Sequence, residues 1–128
     1  MRRALLAAAV ALLLTSCASP HNALNTPASA CFRGLPVARS AVGHQAKLIG
    51  VRRESRRDLA GAVPQAHAIR SRSMCLVAFR GPFASGQIPG ANPPGPGTYA
   101  VVALDTEGSQ VLGTFVLDEL PIAFRHRV

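Results

Sequence analysis

The chain has 128 residues and a formal net charge of +8, carried by thirteen arginines and Lys47 against six carboxylates. There is no tryptophan and one tyrosine, Tyr99, so the interleaved aromatics of a nucleic-acid strand platform are missing. A chain this short holds one small domain and a tether and excludes a large core.

The first elements are those of an address. Met1-Arg2-Arg3 is a short positive segment, and residues 4–14 form an uncharged apolar run. That run is too short to cross a bilayer, which takes about 20 apolar residues. It has the length and flanks of a secretory signal peptide. Its end, Leu14-Thr15-Ser16-Cys17, resembles a bacterial lipobox: aliphatic, small or hydroxylated, small, then cysteine. The resemblance covers residues 1–17. It implies that the Cys17 sulfur carries a diacylglyceryl group and that residues 1–16 are removed. Cys17 would then be the acylated amino terminus, on the extracytoplasmic face of a bacterial membrane.

A thiolate suits that chemistry because it is a good nucleophile for making a thioether. Two or more acyl chains, each methylene contributing about 0.8 kcal/mol, hold a protein where one chain binds only reversibly. A plain secretory signal with an incidental Cys17, or a short uncleaved anchor, remains the alternative. Loss of Arg2 and Arg3 with the signal leaves 112 residues at a net charge of +6.

The three cysteines agree with this address. If Cys17 is lipidated, Cys31 and Cys75 remain as an even pair in a compartment where disulfides persist. Closing a loop of that length contributes about 4 kcal/mol on a chain-entropy estimate. No C-x-x-C supports a redox couple, so a structural disulfide is expected.

Residues 18–28 contain Pro20, Asn22, Asn25 and Pro27 without a period and read as a flexible tether. In residues 29–42, Cys31, Leu35, Ala38 and Val42 recur at helical spacing. Pro36 either kinks that helix or sits in the first turn of one starting near Leu35, and Gly43 ends it. Residues 46–53 alternate as a strand does. Ser55 followed by Asp58 resembles a helix-starting box, opening a short helix with Leu59, Ala62, Val63 and Ala66 on its apolar stripe.

Residues 74–80 form a second strand, with Cys75, Val77 and Phe79 on one face and Leu76 and Ala78 on the other. Residues 81–97 hold five prolines and read as a long exposed loop. Residues 99–104 and 110–117 are two β-rich runs joined at Asp105-Thr106-Glu107-Gly108-Ser109, with Gly108 suited to a positive-φ turn position. This strand-Asp-x-x-Gly-x-x-strand hairpin resembles PepSY-type modules of exported bacterial proteins over about twenty residues, and no function comes with it. Residues 125–128 read as a basic tail. The expected architecture is α+β, a two-layer sandwich of four mostly antiparallel strands with two short helices on one face, over residues 29–124.

Chemistry is sparse. His21, His44, His67 and His126 are too far apart in sequence for metal-ligand spacing. No nucleophile elbow, P-loop or dinucleotide fingerprint is present, so no catalytic residue, cofactor or metal is expected. The densest charge run is Arg52, Arg53, Glu54, Ser55, Arg56, Arg57. Those four arginines are a candidate contact for anionic lipid or cell-wall polyanion, or else a solvated strand-to-helix corner. The expected function is a lipid-anchored envelope domain that binds or supports another envelope component. The alternative is a small envelope enzyme using scattered groups such as His44 and Asp105.

Overall fold

The computed structural model describes residues 30–125. The expected signal segment, Cys17, the expected tether, His21 and residues 126–128 lie outside them. A 3-10 turn at Phe32–Gly34 leads into helix α1, Leu35–Val42, with Pro36 in its first turn, where a missing N–H goes unnoticed. Gly43 follows, its N–H bonded to the Arg39 carbonyl. Strand β1 is Lys47–Ser55, helix α2 is Arg56–Ala62, and a second 3-10 turn spans Pro64–Ala68. Strands β2 (Ser73–Phe83), β3 (Gly97–Leu104) and β4 (Val111–Leu117) precede a one-turn helix α3, Ile122–Arg125.

The four strands form one antiparallel sheet in the order β1-β2-β3-β4. Val51 pairs with Val77, Val77 with Val102, and Val102 with Thr114. The fold is α+β with four antiparallel strands, as the sequence predicts. The helices, however, do not share a face. Cys75, Val77 and Phe79 pack with Ala100, Val102, Leu104 and Val116 beneath Ala38 and Val42 of α1. Met74, Leu76 and Ala78 pack with Val101, Ala103 and Phe115 beneath Leu59, Val63, Ala66 and Phe124. The sheet is the middle of three layers.

The reason lies in β2. All six residues from Met74 to Phe79 are fully buried, so both of its faces are apolar and both must be covered. Each large side chain buried this way contributes about 1.5–3 kcal/mol.

A second correction concerns residues 81–97. β2 continues through Gly81 and Pro82, and Phe83 and Ile88 are buried against the α1 side of the sheet. The Asn92 N–H then donates to the Thr114 carbonyl at 2.9 Å, and the Val116 N–H donates to the Pro93 carbonyl at 3.0 Å. The segment therefore covers the outer edge of β4, satisfying groups that an open edge would present to other chains. Residues 82, 84–87, 89, 90, 92, 94 and 96 remain exposed around these anchors.

Candidate functional site

The corner where β1 passes into α2 carries the charge run. Ser55 caps α2: its Oγ accepts from the Asp58 N–H at 3.1 Å and bonds the Asp58 carboxylate at 2.8 Å. After the second 3-10 turn, residues 69–72 come back to the same corner before β2. The Arg56 N–H donates to the Arg72 carbonyl at 2.8 Å, and its guanidinium donates to the Ile69 carbonyl at 3.0 Å and the Arg70 carbonyl at 3.3 Å. Arg53 Nε donates to Ser73 Oγ at 3.2 Å.

Arg70 and Arg72 thus join the sequence-predicted Arg52, Arg53, Arg56 and Arg57 at this end of the sheet, six arginines around the corner with Arg52 and Arg53 on opposite faces. All but the half-buried Arg56 are exposed. No local sequence pattern marks the two added residues; the strand register brings them in. Pairing Ser55 with Ser73 across antiparallel strands places Arg70-Ser71-Arg72 opposite the start of α2. The roles within the cluster differ: Arg56 ties the returning segment down, whereas Arg57, Arg70 and Arg72 present charge outward.

The same end of the sheet carries the disulfide, on the α1 face. Cys31 and Cys75 are joined, with Cα atoms 5.3 Å apart, and Cys75 is paired in the sheet with Arg53. Both cysteines are fully buried.

Two carboxylates share the corner. Glu54 points to the opposite face from Arg53, into an open groove of about 470 Å³ floored by Leu59 and Leu76 and walled by Pro121 and Ile122. Loss of solvent raises the Glu54 pKa, partly offset by the Ser55 N–H that its carboxylate accepts. Asp58 adds a like charge beside it and raises it further.

The remaining polar groups are dispersed. His44 lies in a depression at the α1–β1 turn with Lys47, Arg80 and Gln87. Asp105 sits at the β3–β4 turn and holds it: Ser109 N–H and Oγ each donate at 2.8 Å and the Gln110 N–H at 3.3 Å. Those bonds lower the Asp105 pKa.

Lys47 pairs with Arg80, whereas Leu104 pairs with Cys75. His44 and Asp105 therefore belong to opposite ends of the sheet, about 17 Å apart along β2 at roughly 3.4 Å per residue. The structure does not bring them together. Glu119 is taken up by Arg125, at 3.1 Å. Among the described residues no group of three or more His, Cys, Asp or Glu is placed to hold a metal ion, and no helix is long and apolar enough to cross a membrane.

Comparison of the chain with protein-family models, curated proteins and solved structures finds no match.

Proposed function

We propose that the chain is a lipid-anchored extracytoplasmic domain of a bacterial envelope, acting by binding or supporting another envelope component. The observation that carries this reading is the parity of the cysteines. Cys31 and Cys75 are consumed by each other in the core, which leaves Cys17, the lipobox residue, as the odd one. A buried disulfide suits an oxidising compartment, and the lipobox supplies a route to one. A binding role is supported by the arginine cluster exposed at one corner.

The test is Cys17→Ser in the producing cell. The protein should leave the membrane fraction or keep residues 1–16. Unchanged partition together with unchanged processing would remove the proposal.

A further inference from the structure

We infer that the arginine corner is a docking surface for anionic lipid headgroups, and that the anchored domain rests on its membrane through it. This deepens the reading above and depends on it for the membrane being present. The observations are charge and placement.

Arg52, Arg53, Arg56, Arg57, Arg70 and Arg72 share the corner with only Glu54 and Asp58. The rest of the described domain is nearly balanced, with Arg33, Arg39, Lys47, Arg80 and Arg125 against Asp105, Glu107, Asp118 and Glu119. Almost all of the domain's excess charge therefore sits at one place. That place is the root of the tether. The disulfide holds Cys31 against Cys75, and Cys75 is the sheet partner of Arg53. Cys31, next to the first described residue, is thus held at the Arg53 end of the sheet, and residues 17–29 join the domain at that end.

The tether makes modest affinity sufficient. A short linker holds the surfaces at an effective concentration in the millimolar range. Each arginine close to an anionic surface contributes about fivefold to partition. The attraction acts over about one Debye length, roughly 8 Å at physiological salt, so position matters as well as total charge. Acidic Asp105 and Glu107 lie at the same end of the sheet, on the β3–β4 turn whose Gly108 packs against Gly34, so they offset part of the charge there, two strands from β1. A cell-wall polyanion could meet the same charges; the tether root is what favours the lipid surface.

The experiment uses the chain from residue 17 onward with Cys17→Ser, so that no acyl group contributes. Its binding to vesicles of phosphatidylcholine with 30 mol% phosphatidylglycerol is compared with binding to phosphatidylcholine alone. We expect binding only to the anionic vesicles, and its loss in 0.5 M salt. The triple variant R57Q/R70Q/R72Q spares the structural Arg56 and should bind about 100-fold more weakly. R57K/R70K/R72K should restore binding. K47Q/R80Q/R125Q removes the same charge elsewhere and should bind within a few-fold of the parent.

Equal weakening in both glutamine triples would mean net charge alone acts, and would overturn the docking surface. So would a corner triple that loses affinity for dextran sulfate while keeping its affinity for vesicles. Lipidation is read separately from the mass at Cys17. A bare Cys17 with intact vesicle binding removes the anchor, and an acylated Cys17 without vesicle binding removes only the docking surface.

Discussion

Gly34 and Gly108 meet backbone against backbone, joining the turn before α1 to the hairpin of β3 and β4. A Cβ on Gly108 would lie 2.6 Å from the Gly34 nitrogen and 2.8 Å from its Cα, and Gly108 has a φ of +74°. Both the space and the conformation therefore demand glycine. Gly108→Ala should destabilise the domain by about 3 kcal/mol or more, combining αL strain with displacement of the adjacent turn. Chemical denaturation measures it; a loss below about 1 kcal/mol would mean that the two turns move apart freely.

Reduction of Cys31–Cys75 reopens a loop spanning 44 residues of separation. On the chain-entropy estimate this costs about 4 kcal/mol, which for a domain of this size lowers the thermal midpoint by roughly 15 °C or more. Melting with and without reductant checks the value. The bridge is buried, so intact protein should resist alkylation at both cysteines until it unfolds.

Glu54 gives the domain a pH dependence of unusual sign for a carboxylate. Its folded pKa lies above the unfolded value, about 4.3, because burial disfavours the anion. The stability it contributes is therefore complete below the unfolded pKa and is lost as pH rises through the folded one. Glu54→Gln should raise the midpoint at pH 7 by about 2–4 °C, the scale of a partly exposed site. Variant and parent should converge below about pH 4. A variant less stable at pH 7 would show that the Arg52 attraction and the Ser55 N–H outweigh desolvation.

Much of the fold was legible because its signals are local. Alternation marks β1 and β2, and β-rich composition marks β3 and β4, to within three residues at each end. Ser55 with Asp58 marks the start of α2, and Gly108 marks its turn. The placement of the helices was not read correctly, although Leu76 and Ala78 already showed that the second face of β2 is apolar. Residues 81–97 are mostly exposed, as expected, but they also extend β2 and cover the edge of β4. Proline and glycine mark where regular pairing fails, but they do not say whether an irregular segment is exposed. Phe83 and Ile88, two large apolar residues within that composition, were the sign that it folds inward.

At the corner, local reading found Arg52, Arg53, Arg56 and Arg57 because they are contiguous. Arg70 and Arg72 join them only through the β1–β2 register, a long-range pairing. The separation of His44 from Asp105 depends on that same sheet order and no local pattern expresses it.

The anchor depends on a single sulfur, and intact mass of protein extracted from its own membrane reads the state of that sulfur. The chain should begin at Cys17, carry a diacylglyceryl thioether and contain a closed Cys31–Cys75 bridge. A chain with a bare Cys17 thiol, or one that retains residues 1–16, would contradict the anchor.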